Sequence, residues 1–353
     1  MCIHLEVRKL QKIRGGSFTL SIPKKWVDKR KLKSGQQMVI SEEDDGSLII
    51  YPVISVSEKP LKITLLLEEF PDIKTLEYNI TTYYIQGADR IDIVSKKIIP
   101  AEQKRKLKLL RLAMPGVEVS EEGANKISFQ AMIAPAAFGL ESLLSKTSTF
   151  SLHLQEDAVK SMMKWNFPLA REVIERSGEA LRHYRLTIRQ VALASISKTT
   201  AKEIGVRSCQ ECVTFALMAR DLSRLVYHCS QIARHVLSLE HKGTISREIL
   251  NLIEALSTAV HNMQKDAVRS FLEKDTKLAV QVLRKMSSVR EKEKKLLKEV
   301  MAKVKDVDTA VTIGLIGRDL RRIAGYSVAI ADDGMNRVLT PTSRFSVTKR
   351  GTG

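Results

Sequence analysis

The hydrophobic and polar positions of the chain follow three different patterns. Between residues 6 and 53, short apolar runs alternate with polar residues and are separated by turn signals such as Gly15-Gly16 and the DDG sequence at 44–46, which is typical of a small β-rich module. From 59 to 135, strand-length runs alternate with helix-length runs and predict an α/β layer. Beyond Pro135, apolar residues recur with a helical period. The pattern therefore predicts a multidomain α+β protein that ends in helical bundles.

Each pattern predicts particular elements. The first module should have strands at EVRKLQKI, SFTLSI, QMVISEE and SLIIYPV, and one short helix at KKWVDKRKL that buries Trp26, Val27 and Leu32. The second region should have strands at LKITLLLEE, RIDIVSKKI, VEVSEEG and NKISFQAMI, and helices at DIKTLEYNITTYYIQGA and from Pro100 to Met114. The last helix begins with Pro and ends at Pro-Gly, which are the usual start and stop signals.

The helical region repeats internally. QEDAVKSMMKWNFPLAREVI, from Gln155, matches QKDAVRSFLEKDTKLAVQVL, from Gln264, and ARDLSRLVYHCSQIA, from Ala219, matches GRDLRRIAGYSVAIA, from Gly317. The two offsets are 109 and 98 residues, so two tandem units of about 100 residues are expected. The predicted domains are 1–55, 56–135, 136–241 and 242–338, followed by a flexible tail at 339–353.

The composition adds a strong positive charge. The chain has 58 Lys and Arg residues against 40 Asp and Glu, a formal net charge of +18, which favours an anionic partner, with nucleic acid first and a membrane surface as the rival. No apolar run approaches the roughly 18 residues that a spanning helix needs, so we expect no membrane insertion and a cytoplasmic protein. Residues 1–40 carry ten basic residues and two acidic ones, which focuses the charge on the first module.

The first module resembles a SpoVT/AbrB-type swapped-hairpin domain. The order of its parts carries the resemblance: a basic strand, the segment SFTLSIPKKW, a short helix, LKSGQQMVI and a closing hairpin. The resemblance implies an intertwined homodimer, which also answers the problem that about 50 residues bury too little surface to be stable alone. It further implies contacts with double-stranded DNA from Arg8, Lys9, Lys12, Arg14, Ser17, Lys24 and Lys25. The competing interpretation is that these cations protect an edge strand from aggregation.

The two helical repeats resemble PhoU domains, which are three-helix units of phosphate-uptake regulators. MARDLSRLVYHCSQIARHV and IGRDLRRIAGYSVAIADD carry the resemblance, and its combination with the first module implies an archaeal protein. The family has metal-binding carboxylates in an E-x-x-x-D pattern on these helices. The corresponding positions here are Ser223 and Tyr227 in the first repeat, and Arg321 and Gly325 in the second. Since no carboxylate is retained, we expect no metal and no other cofactor.

The same two helices carry an excess of arginine. One interpretation is that Asp221 pairs with Arg224, and Asp319 with Arg322, at i,i+3. A sharper hypothesis is a groove that binds an anion such as phosphate or an acidic segment of a partner. Its residues would be Arg220, Arg224, His228, Arg318, Arg321, Arg322 and Tyr326. Alternatively, the arginines pair with acids elsewhere in the bundle, such as Glu156, Asp157 or Asp266.

Other chemistry finds little support in the sequence. Cys209 and Cys212, with His228 and Cys229 as conceivable further ligands, lie inside a helical region and are interpreted as packed thiols. No Walker, G-x-S-x-G or H-E-x-x-H motif is present, so an enzyme is not expected. The sequence therefore predicts a DNA-binding transcriptional regulator of phosphate homeostasis, whose bundle senses a signal or docks a partner. The alternative is an adaptor that binds a phosphate transporter or a signalling kinase, with the first module serving mainly to dimerise.

Overall fold

The computed structural model describes residues 7–13, 15–42, 46–53, 60–134, 137–207, 209–242 and 245–338. The described residues before 60 belong to one compact unit and those from 60 onward to another. The predicted tail at 339–353 and the predicted boundaries near 55 and 135 lie outside the described residues. The division into five segments stays a prediction.

The first unit consists of two hairpins and a short helix. Strands β1 (Gln11–Lys12) and β2 (Phe18–Thr19) pair antiparallel, and so do β3 (Met38–Glu42) and β4 (Leu48–Pro52). Helix α1 (Lys24–Lys29) begins after Pro23 and is shorter than the sequence predicts, because Lys31 takes a positive φ of 53° and ends it. The first turn contains Gly15 and Gly16 with φ of 114° and 96°, angles that favour glycine.

The described residues of this unit form no closed core. None of those whose burial is described is buried, and Trp26, Val27 and Leu32 are only partly covered. Large apolar side chains on both hairpins face solvent, including Phe18, Ile40, Leu48 and Tyr51. Two-stranded hairpins are marginal in water unless a further apolar layer covers them, so the first unit has the surface of a module that needs a partner.

The α/β layer contains four strands and two helices. They are β5 (Lys62–Leu66), α2 (Ile73–Ile85), β6 (Arg90–Val94), α3 (Ala101–Leu109), β7 (Val117–Glu122) and β8 (Lys126–Ala131), in the sheet order β5-β6-β8-β7. Strands β5 and β6 are parallel, and the other pairs are antiparallel. The predicted helix from Pro100 continues beyond Leu109 only as a 3-10 turn to Ala113.

One face of this sheet is apolar and the other is charged. Ile91, Ile93 and Phe129 are buried on the apolar face with side chains of the helices. The alternate positions of the strands form the opposite face, where Asp92 is buried beneath ion pairs with Arg90 and Lys62. The sheet therefore has helices on one side only, as in other two-layer α/β structures.

The helical region consists of two three-helix repeats. The first contains α4 (Leu140–Met163), α5 (Phe167–Ile196) and α7 (Cys209–Ser238), with the short α6 (Lys198–Glu203) between the last two. The second contains α8 (Arg247–Glu273), α9 (Thr276–Lys303) and α10 (Val307–Val338). The repeats share one hydrophobic core, and α7 packs along α10 at its centre. Among the described residues, no helix is long and apolar enough to cross a membrane.

Helix α5 holds the α/β layer to the first repeat. Nη1 of Arg189 donates to the carbonyl oxygens of Tyr84 and Ala88 at 2.6 and 2.8 Å, and its guanidinium lies 4.9 Å from the Tyr84 ring centre. Burial lowers the pKa of Arg189. The buried guanidinium is compensated by its hydrogen bonds to the two carbonyl oxygens at the end of α2. The layer and the repeats accordingly form one compact unit.

Candidate functional site

The cations of the first unit lie on its exposed surface. Arg8, Lys9, Lys12, Ser17, Lys24 and Lys25 are all exposed, and Arg14 lies outside the described residues. Lys12 belongs to β1, Ser17 follows the Gly15-Gly16 turn, and the two lysines at 24 and 25 open α1. The first hairpin and the start of α1 thus present several exposed cations, and such side chains suit contacts with phosphates.

A second candidate site is a groove between α7 and α10. It encloses about 300 Å³ and its lining includes Arg220, Asp221, Arg321, Arg322, Gly325 and Tyr326. Four of the seven residues predicted for an anion groove therefore line it. The other three do not: Arg224 and Arg318 are exposed outside it, and His228 lies behind Tyr326, with the two rings stacked at 5.7 Å.

The ion pairs around the groove differ from those expected at i,i+3. Oδ1 of Asp221 accepts from Nε of Arg220 at 3.0 Å instead of pairing with Arg224. The Nε of Arg321 lies 2.8 Å from Glu293 of α9, an acid that the sequence did not single out. Arg322 forms no hydrogen bond or ion pair within the described part of the chain. The acids considered as alternatives are used elsewhere, since Glu156 faces His261, Asp157 pairs with Arg176, and Asp266 with Lys285.

Asp319 pairs with histidines rather than with Arg322. Its Oδ1 lies 2.8 Å from Nδ1 of His228, and Oδ2 lies 3.3 Å from Nε2 of His235. Burial raises the pKa of this carboxyl, but the two imidazoles, of which that of His228 makes a hydrogen bond to Oδ1, outweigh it and hold the pKa below its usual value. These two contacts join α7 to α10 beside the groove.

The equivalent acid of the first repeat, Asp221, has a pKa that is shifted in the opposite direction. It is 1 % exposed, and its Oδ2 has no hydrogen-bond partner among the described residues. Burial raises its pKa, against the lowering effect of Arg220 and Arg224. Burial and the charges of Asp221 and Asp332 raise the pKa of Asp333, which is also buried, to about 7. The sequence reasoning missed Asp333 and His235, although the 98-residue offset relates them to each other.

The positions that correspond to metal ligands do not fit a metal. Oγ of Ser223 donates to the carbonyl oxygen of Arg220 at 2.6 Å, Tyr227 is half exposed, Arg321 is held by Glu293, and Gly325 has no side chain. In the described part of the chain, no three His, Cys, Asp or Glu side chains are placed to hold an ion.

The two cysteines whose side chains the structure describes are buried. They are Cys212 and Cys229, and burial raises the pKa of Cys229 to about 12. The side chain of Cys209 lies outside the described residues. A thiol with so high a pKa is protonated and is a poor metal ligand.

Models of known protein families match both the helical region and the first unit. The model of the PhoU domain matches residues 253–334. The chain contains a PhoU domain. The model of the antidote-toxin recognition domain MazE, a bacterial antitoxin, matches residues 11–57, so a MazE/AbrB-type domain precedes the PhoU-like region.

Relatives extend the PhoU likeness to a larger share of the chain. The phosphate-specific transport system accessory protein PhoU homolog 1 of Thermotoga maritima is 24% identical over 198 residues, which cover 55% of this chain and 83% of the relative. The crystal structure of PhoU from Pseudomonas aeruginosa superposes with a TM-score of 0.50 at 20% identity, over 56% of this chain and 95% of that structure. PhoU from Streptococcus pneumoniae gives a TM-score of 0.48 at 16% identity, over 55% and 91%.

Proposed function

We propose that this protein is a DNA-binding transcriptional regulator of phosphate uptake that acts as a homodimer. The observation that carries the proposal is the combination in one chain of an exposed basic MazE/AbrB-type module with a PhoU-like bundle. The first part supplies phosphate-backbone contacts. The second supplies a surface for the transport machinery, because the relative from Thermotoga maritima is named a transport accessory protein.

DNA binding is tested by the salt dependence of affinity. The variant K9A/K12A/K24A/K25A in the full chain should bind duplex DNA more weakly and with a shallower salt dependence, because each lost phosphate contact removes about 0.9 from the slope of log K against log[salt]. The matched control is K277A/K294A/K295A/K298A, which removes four exposed lysines from α9. Equal losses in the two variants, or wild-type protein without DNA affinity, would exclude this module as the DNA-binding surface.

Dimerisation is supported by the exposed apolar hairpins of the first unit. Ile40 lies opposite Ile50 in β3 and β4 and is 62% exposed, so a second copy of the module can bury it. Ile40→Glu should convert the dimer to monomer in light scattering. Ile98→Glu, at a residue 76% exposed in the second unit, is the control and should leave the mass unchanged. A wild-type monomer at micromolar concentration contradicts the proposal.

The role in phosphate regulation is tested in cells. The regulator should occupy promoters of phosphate-uptake genes, and its occupancy in a genome-wide map should differ between phosphate-rich and phosphate-poor growth. Identical maps under the two conditions, together with co-purification of a phosphate transporter or a kinase, would favour the adaptor function instead.

A further inference from the structure

The groove between α7 and α10 combines hydrogen-bond donors and an acceptor. Arg322 lines it without any partner in the described part of the chain, while Arg321 uses its Nε for Glu293 and leaves its terminal Nη groups uncommitted there. Asp221 also lines the groove, and one of its two oxygens is buried with no hydrogen bond to a described residue. An unmet buried acceptor costs free energy, so a ligand donor that reaches it is favoured.

These requirements restrict the ligand. Guanidinium groups suit the oxygens of phosphate and carboxylate alike. A carboxylate opposite them repels any anion that lacks a proton, which excludes sulfate and the acidic side chains of a peptide. A protonated oxyanion satisfies both sides, since its bare oxygens accept from arginine and its hydroxyl donates to the carboxylate. Monohydrogen phosphate has this chemistry near neutral pH.

We propose that this groove binds inorganic phosphate in a protonated form, with Arg322 and Arg321 as donors to its oxygens and Asp221 as acceptor of its hydroxyl proton. The choice of phosphate among protonated oxyanions rests on the proposed function in phosphate regulation. The site would make the bundle itself the receptor of the signal, at the contact between its two repeats.

The electrostatics beside the groove are compatible with a charged acceptor. Asp221 has a raised pKa because of burial, with Asp333 as its neighbour and Arg220 and Arg224 as opposing charges. Burial and the charges of Asp221 and Asp332 raise the pKa of Asp333 to about 7, whereas Arg220 and Arg224 favour the charged form of Asp221. The ring of Tyr326, which lines the groove from α10, stacks on the ring of His228 of α7.

Calorimetric titration of the full-length protein with inorganic phosphate and with sulfate tests the site. The wild type should bind phosphate at least about tenfold more tightly than sulfate, and Arg322→Ala should weaken phosphate binding about tenfold or more, as expected for a charged hydrogen bond. Arg318→Ala removes an exposed arginine one turn earlier on α10, outside the groove, and should change neither affinity. Asp221→Asn should remove the preference, bringing the two affinities within about threefold.

Each alternative has its own outcome. A folded wild type that gives no heat with phosphate overturns the proposal, and so do equal affinities for phosphate and sulfate or equal losses in the two arginine variants. DNA affinity is measured on the same samples without phosphate. DNA binding without phosphate binding rejects the groove alone, whereas phosphate binding without DNA binding rejects the proposed function and leaves the groove.

Discussion

Oδ1 of Asp319 lies 2.8 Å from Nδ1 of His228 across the contact between α10 and α7. Asp221, its equivalent 98 residues earlier, accepts from Arg220 through one oxygen and has the acid Asp333 as a neighbour, at the position that corresponds to His235. The internal repeat is thus chemically asymmetric at its centre. One carboxylate is stabilised by two imidazoles, and the other is buried beside a second acid.

This asymmetry predicts opposite effects for two equivalent substitutions. Asp319→Asn should lower the free energy of unfolding by about 1–3 kcal/mol at neutral pH, because it removes a charged hydrogen-bond acceptor. The carboxyl has a lowered pKa in the folded protein, so its stabilisation is present above about pH 4 and is lost as the pH falls through the folded pKa. Asp221→Asn, the matched variant, should leave the stability unchanged or raise it. Urea unfolding at several pH values measures both, and the same sign for the two variants contradicts the prediction.

Asp333 predicts a pH dependence of stability in the neutral range. Its pKa is raised to about 7 by burial and by Asp221 and Asp332, so the folded state holds a proton that the unfolded state releases near pH 4. Stability should therefore fall as the pH rises from about 4 to about 7 and then level off.

The variant Asp333→Asn isolates this effect. Its melting temperature should exceed that of the wild type by a margin that grows between about pH 4 and 7 and is constant above, reaching roughly 4 °C or more. Asp332→Asn, at the exposed neighbouring acid, should change the melting temperature far less. A margin independent of pH contradicts the assigned titration.

The fold follows from the sequence to a large extent, because its patterns are strong and local. The 3.6-residue period and caps such as Asp275, which accepts from the backbone N–H of Leu278, define the long helices. The short elements of the first unit were predicted too long. Runs such as EVRKLQKI alternate as a strand does, but of its described residues only Gln11 and Lys12 pair, since a hairpin that leaves its apolar face uncovered lacks the packing that extends strands.

The groove was only partly predictable. The excess of arginine on two equivalent helices pointed to four of its residues, Arg220, Arg321, Arg322 and Tyr326. Helical spacing could not tell which acids would meet these arginines, because an i,i+3 pair competes with contacts between helices that depend on how they cross. The ion pair of Glu293 on α9 with Arg321 on α10 is such a contact between helices.

The replaced ligand positions predict the metal content of the protein. Because Ser223, Tyr227, Arg321 and Gly325 stand where the resemblance to PhoU domains implies carboxylates, protein purified without chelator should contain less than about one equivalent of iron, zinc or manganese per chain. Elemental analysis of the dialysed protein measures it. Stoichiometric metal that is lost on substitution of Glu293 or Asp221 would refute the assigned register.

Arg189 predicts how firmly the α/β layer is fixed to the bundle. Arg189→Met keeps the length of the side chain but removes the donor to the carbonyl oxygens of Tyr84 and Ala88, of which that of Tyr84 still accepts from the backbone N–H of Gly87. An unsatisfied buried acceptor costs about 1–3 kcal/mol, so the variant should unfold at a lower temperature, and amides in the last turn of α2 should exchange faster with deuterium while those of α9 and α10 do not.

The control for this effect lies on the same helix. Arg182→Met changes an exposed arginine two turns before Arg189 and should leave both the melting temperature and the exchange in α2 unchanged. Faster exchange throughout the bundle in Arg189→Met would mean that the layer and the repeats unfold together, because the contact then supports the whole unit. Faster exchange that is confined to α2 and the sheet would instead indicate that the α/β layer unfolds while the bundle stays folded. The reason is that the substitution removes only the contact by which α5 holds the layer.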